Sequence, residues 1–167
     1  MPAYFNIPLG YYVTAVTIFI VFTVATRKIE LGTLLTYLYL VIVATILTRN
    51  PSENARVVLT PFWSYREAMI SDFTWFQVRA NILMFVPVGF LLPLVIKKRA
   101  LLYGVCFSAF IEILQYITHR GTCEIDDVIS NTIGLIIGYM VIKLIQLLVK
   151  ASTALWKKMK PGNDKKG

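Results

Sequence analysis

The chain has 167 residues, of which 57% are hydrophobic and only 16% charged, with a mean hydropathy of +0.66. A soluble domain is roughly 45–50% apolar and about 25% charged, so this chain has too little polar surface to cover itself in water. Its net charge of +8 would otherwise point to nucleic acid, and its two cysteines are too few for a disulfide scaffold; what remains is a small all-α integral membrane protein.

A membrane-spanning helix needs about 20 mostly apolar residues. Met1 to Thr26 carries no charge, and Ile7 to Thr26 is the first predicted span. It lacks a positively charged start and is longer than a signal-peptide core, so a retained helix is expected. After Arg27, Lys28 and Glu30, a second uncharged run covers Leu31 to Thr48. The loop from Arg49 to Arg79 follows. Within it, Ser64 and Glu67 have the spacing of a capping box. Trp63, Phe73, Trp75 and Phe76 suit the headgroup level. An interfacial helix over Glu67–Gln77 is therefore expected. Ala80 to Ile96 is the third span, interrupted by Pro87, Gly89 and Pro93; Ala100 to Thr118 is the fourth; Val128 to Val149 is the fifth, with Lys143 near its far end. Residues 1–149 thus form one transmembrane domain, a polytopic bundle of about five helices, and 150–167 a basic tail. No internal repeat is visible.

Basic residues orient such a chain, because cytoplasmic flanks carry the excess of Lys and Arg. One set of flanks holds Arg27, Lys28, Lys97, Lys98, Arg99, Lys150, Lys157, Lys158, Lys160, Lys165 and Lys166. The other holds Arg49, Arg56, Arg66, Arg79 and Arg120. The N-terminus is expected outside and the C-terminus in the cytoplasm, with two outward loops, Arg49 to Arg79 and His119 to Asp127. Lys143 would snorkel toward the basic tail, which would attract anionic lipids.

The few polar residues inside the spans carry most of the functional information. An acid at the centre of a spanning helix costs about 2.5–3.5 kcal/mol on insertion scales, so Glu112 is expected to face the bundle interior. Gln115 and Tyr116 share its face, which continues toward His119. On the fifth helix Asp127, Asn131, Gly134 and Gly138 fall on one face. Gly134 and Gly138 form a small-xxx-small pair that admits another helix closely, within the chain or from a second copy in a homodimer. Asn81 opens the third helix at the same depth. Asn81, Glu112, Gln115, Asp126, Asp127 and Asn131 are thus expected to converge, with Arg79 and Arg120 beside them as phosphate partners. Each also has a plainer role: Asp126 or Asp127 as an N-cap, Asn81 and Asn131 as interhelical glue, Pro87 and Pro93 as kinks. A zinc site is not expected, since one His and a distant Cys fall short of its usual ligands. Cys106 and Cys123 are roughly 25 Å apart if the intervening chain is mostly helical, too far to pair, with Cys106 expected in the core.

The run from Asn81 through Pro87 and Gly89 to Pro93 resembles the third-helix pattern of the VanZ-like family. Glu112 to Gln115, the run from Glu124 through Asp126, Asp127 and Asn131 to Gly134, and Leu59 to Phe62 in the first outer loop resemble further family motifs. The similarity covers roughly Leu31 to Val149, leaving the first helix outside it. Glu124 stands where the pattern more usually has Asp, and Arg120 is shifted by one position. The family is named for a small membrane protein of glycopeptide-resistance clusters. The resemblance implies a multi-pass protein of the bacterial cytoplasmic membrane, and it implicates Asn81, Pro87, Gly89, Glu112, Gln115, Asp126, Asp127, Asn131 and Gly134.

Three functional expectations follow. On the leading one, the protein lowers susceptibility to teicoplanin-type lipoglycopeptides, binding the drug or an envelope lipid precursor at a polar site on the outer face. On the second it is an intramembrane enzyme acting on an envelope lipid or lipid-linked sugar, with Glu112 as acid or base and Asp126 and Asp127 orienting substrate or a cation such as Mg²⁺. On the third it is a scaffold, its polar residues internal glue. Membrane lipids are the expected surroundings and nucleic acid is not a partner. The sequence leaves the cofactor, and the choice between enzyme and binding protein, open.

Overall fold

The structure is a computed structural model and describes residues 8–47, 49–53 and 55–159. The start of the first predicted span at Ile7, the end of the second at Thr48, and the tail lysines Lys160, Lys165 and Lys166 lie outside the described residues.

The chain is helical nearly throughout. Helix α1 (Leu9–Thr26) turns through Arg27, which has a left-handed backbone, into α2 (Ile29–Ile42). The last turn of α2 widens into a π-helical turn, Val43–Leu47. A two-residue strand β1 (Val57–Val58) and a short helix α3 (Trp63–Glu67) occupy the first loop. Helix α4 (Asp72–Val95), α5 (Ala100–Ile117), strand β2 (Cys123–Glu124) and the long α6 (Ile125–Met159) complete the chain. Five of these helical segments are long and apolar enough to cross a membrane.

The helix expected over Glu67–Gln77 is divided. Ser71 caps a new helix by accepting the N–H of Thr74 at 3.3 Å, so Asp72 to Gln77 form the first turns of α4. Ser64 is not a cap; Phe62, with φ 62°, occupies that position on α3. At the other end, α6 runs ten residues past Val149, because no Gly or Pro interrupts the sequence before Pro161.

Two spanning helices made next to each other in lipid gain little from the hydrophobic effect, so close backbone contact decides which helices pair. Here α4 and α6 pair through glycine. A Cβ on Gly134 would collide with the carbonyl of Ile82, one on Gly138 with that of Val86, and one on Gly89 with that of Leu135. Residue number rises together on both helices, so α4 and α6 run parallel, and α5, between them in sequence, is the return helix. The Gly134/Gly138 face, expected to be able to receive a second copy, is therefore filled by α4 of the same chain. Pro87 and Pro93 sit inside α4 without ending it. Around this pair the core gathers Leu34 and Val41 from α2, Phe85, Val88 and Leu92 from α4, Ile111 from α5 and Leu135 from α6. The Tyr37 hydroxyl donates to the Met84 carbonyl at 2.9 Å and ties α2 to α4. Cys106, expected in this core, is exposed on α5; both cysteines are free thiols.

The two loops at the Glu112 end form one unit. β1 and β2 pair in parallel, Val57 with Cys123 and Val58 with Glu124. Ser52 N–H donates to the His119 carbonyl at 2.6 Å, and Cys123 N–H to the Arg56 carbonyl at 2.9 Å. The Tyr65 and Ser130 hydroxyls are 2.8 Å apart.

Candidate functional site

Glu112 lies on α5 and is 2% exposed. Its Oε2 accepts the backbone N–H of Glu124 at 3.2 Å. Asp127, in the first turn of α6, faces the same space and repels it electrostatically, with Glu124 adding to the negative field on both. Arg49, just past the end of the second span, attracts both Glu112 and Asp127. The Asn81 side chain reaches from α4 to hydrogen-bond Asp127. Gln115, one turn along α5 from Glu112, is buried. Its side-chain oxygen and the Arg49 guanidinium close over Gly121, where a Cβ would lie 2.7 Å from the first and 3.2 Å from the second.

One helical turn away on the same two faces lie Ser108, four residues before Glu112, and Asn131, four after Asp127. Asn131 Nδ2 donates to Ser108 Oγ at 2.9 Å, and both residues are buried. Asn131 Oδ1 has no hydrogen-bond partner. The polar region therefore has two layers, carboxylates nearer the loops and neutral groups deeper in the bundle.

Arg49 is held by the end of α5. Arg120 N–H donates to the Gln115 carbonyl at 2.8 Å and His119 N–H to the Tyr116 carbonyl at 3.0 Å. This is a Schellman ending in which His119, φ 55°, takes the left-handed position usually given to Gly. The turn aims Arg120 at the open end of α2. There its guanidinium donates to the carbonyls of Ile46 at 3.3 Å, Leu47 at 3.2 Å and Arg49 at 2.5 Å. Arg120 thus satisfies carbonyls that a helix end leaves without partners.

Of the residues singled out from sequence, Asn81, Glu112, Gln115, Asp127 and Asn131 come together, while three are drawn elsewhere. Asp126 turns away from the layer: its two oxygens accept the N–H groups of Phe62 and Ser64, each at 2.7 Å. One lobe of each oxygen is thereby engaged at the start of α3, which ties Asp126 to the first loop. Arg79 is exposed and stacks over Trp75, 5.2 Å from the ring centre. Arg120 caps α2. Four residues of the region were not singled out as site residues: Arg49, Ser108, Glu124, and Ser64, whose hydroxyl donates to Glu124 Oε2 at 2.9 Å. Ser108 had a readable signal, since it extends the Glu112 stripe by one turn. Arg49 had only its place directly after a span.

Between the loops and the carboxylates sits Cys123. Burial pushes its thiol above the usual range, and the nearby charges of Glu112, Asp127 and Glu124 push it further the same way. Among the described residues, no three His, Cys, Asp or Glu side chains gather to hold a metal ion by themselves.

A helical bundle with five membrane-length apolar helices and a buried polar cluster at one end defines a multi-pass membrane protein. The chain belongs to the VanZ/LLP1 family, whose family model matches residues 11–146. That match takes in most of α1, which the motif resemblance had left outside. No curated protein and no solved structure matches the chain.

Proposed function

We propose that the protein lowers susceptibility to teicoplanin-type lipoglycopeptides in the bacterial cytoplasmic membrane, acting through the Glu112 cluster at the outer face. The observation that carries this reading is the burial of Glu112 beside Asp127 and under Arg49, with side chains from α4, α5 and α6 converging there. A fold needs no such arrangement, since acids in an apolar bundle cost more than packed aliphatic side chains. The excess of basic residues at the other end supports an outward cluster. The aromatic residues around α3 and the start of α4 would rest at the headgroup level. Membrane lipids, and a lipoglycopeptide or envelope lipid precursor, are the partners this reading names.

The test expresses wild type, Glu112→Gln and Arg49→Gln in a sensitive host and measures inhibition by teicoplanin and vancomycin, with membrane protein level in parallel. Wild type raises the inhibitory concentration of teicoplanin, and both variants lose that effect at normal protein level. No change for either drug with wild type overturns the reading. Protein level falling in step with the phenotype in both variants instead assigns the cluster to scaffolding.

A second reading, an enzyme acting on an envelope lipid, draws on the same paired carboxylates: Glu112 as acid or base, Asp127 orienting the substrate. It predicts that lipid profiles differ between wild type and both Glu112→Gln and Asp127→Asn. Identical profiles in all three strains count against it.

A further inference from the structure

We infer that the far half of α6 is a dimer seam, along which a second copy of this chain packs its own α6 in a short parallel coiled coil. The first observation is length. Gly134 meets Ile82 and Gly138 meets Val86, while α4 ends at Val95. Carried forward, that register sets Val95 level with Leu147, and α6 continues to Met159. The stretch from Leu148 to Met159 is roughly 18 Å of helix at about 1.5 Å per residue. Lys97, Lys98 and Arg99 follow α4 directly, and Lys150 stands at the same level on α6. Such basic residues mark the cytoplasmic edge of the hydrocarbon, so α6 projects past it.

The second observation is bareness. Every residue from Lys143 to Lys157 is exposed. For Leu144 to Val149 lipid is a sufficient neighbour. Leu155 at 60% and Trp156 at 63% exposure lie beyond the basic level, where lipid tails do not reach. A helix of this length is marginal in water without an apolar face packed on something else.

The third observation is pattern, and it selects the partner. Val141, Ile145, Leu148, Ser152 and Leu155 are spaced four, three, four and three apart, the alternation of a coiled-coil seam. All five are exposed. Ile145 takes an a position and Leu148 and Leu155 take d positions, a combination that favours two parallel strands. Ser152 takes the other a position, and its hydroxyl already donates to the Val149 carbonyl at 2.9 Å. Lys143, Lys150 and Lys157 repeat every seventh residue at position f, directly opposite the seam. Two copies meeting along the seam therefore hold these like charges as far apart as the pair allows. Every copy crosses the membrane in the same direction, so two α6 helices are parallel and Leu148 and Leu155 each meet their own counterparts. The membrane surface is a poorer cover, because α6 is one unbroken helix and its end does not fold flat. The second copy that the Gly134/Gly138 face cannot receive is thus received further along the same helix.

The test uses the full chain in native membranes, with Cys106→Ser and Cys123→Ser as background. Single cysteines are placed by Leu148→Cys, Leu155→Cys or Lys150→Cys, and disulfides are formed with copper phenanthroline. The two seam variants are expected to give a product of twice the 19.0 kDa chain, and Lys150→Cys to remain a single chain. Adding Leu155→Glu, which lies past the hydrocarbon and spares insertion, is expected to abolish the Leu148→Cys product. Absence of the product at both seam positions, equal yield at Lys150→Cys, or a Leu148→Cys product indifferent to Leu155→Glu overturns the proposal. A seam product of any other mass also overturns it, by giving the seam to a different protein.

Discussion

Arg49 is the residue whose importance the structure changes most. In the sequence it reads as one of five arginines on the expected outer flanks. In three dimensions it acts on both buried carboxylates, and Arg120 holds its backbone carbonyl in place. Nothing local in the sequence couples residue 49 to residues 112 and 127, because the coupling runs through tertiary packing. Glu112, by contrast, was legible at once, since an acid inside an apolar run must face inward. Cys123 offers a chemical reading of the same charges. Its raised thiol holds little thiolate at neutral pH, so alkylation by iodoacetamide is slow there, and its midpoint lies above that of an ordinary thiol near 8.5. Removing one repelling charge, as in Glu112→Gln, shifts the midpoint down; an unmoved profile would mean that the carboxylate does not act on the thiol. His119 carries the left-handed turn at the end of α5 without being Gly. His119→Gly is expected to raise stability by up to about 1 kcal/mol by removing the Cβ conflict, measured as a higher Tm.

At the scale of elements, the spans were readable because each is a long run with at most one charge, and ends such as Thr26 and Ala100 fell where expected, while the start of α4 and the end of α6 did not. Val149 was an expected end because Lys150 follows, yet a helix does not stop at a lysine. The Glu67–Gln77 helix was expected from a capping pattern, but Ser71 is the cap that forms, and the chain turns before it. The β1–β2 pair had no sequence signal, since two residues show no alternation. The α4–α6 contact is the element-level feature most open to test. Gly138→Val drives a branched side chain into the backbone around Val86 and Phe90. Overpacking of this kind costs about 1–3 kcal/mol, so lower membrane protein level and lower Tm are expected. A variant at wild-type level would show that the helices separate freely. Asp126 joins α6 to α3 by two hydrogen bonds, and each bond to a charged group is worth about 1.5–3 kcal/mol. Asp126→Ala therefore frees the first loop, which limited proteolysis reads as new cleavage between Arg56 and Ile70.

For the whole molecule, charge and hydropathy sufficed to announce a multi-pass bundle, and the polar residues in its helices announced which end holds the cluster. Which of those polar residues meet was less accessible: Asp126 and Asp127 are neighbours in sequence, yet one is tied to α3 and the other joins Glu112. The orientation of the bundle is testable directly. A C-terminal reporter that is active only in the cytoplasm is expected to be active, and a membrane-impermeant thiol reagent is expected to reach Cys123 from outside and not from within. The opposite pair of results would reverse the topology.

The parallel pairing of α4 with α6 also has a consequence for synthesis. When α4 leaves the ribosome its glycine-lined groove has no partner, and α5 must follow before α6 emerges. At about 5–20 residues per second this wait lasts seconds. During it Asn81 and the open face around Gly89 stand in the membrane uncovered. The carboxylate layer cannot exist until Asp127 and Asn131 arrive, so the polar cluster waits for the last helix to begin.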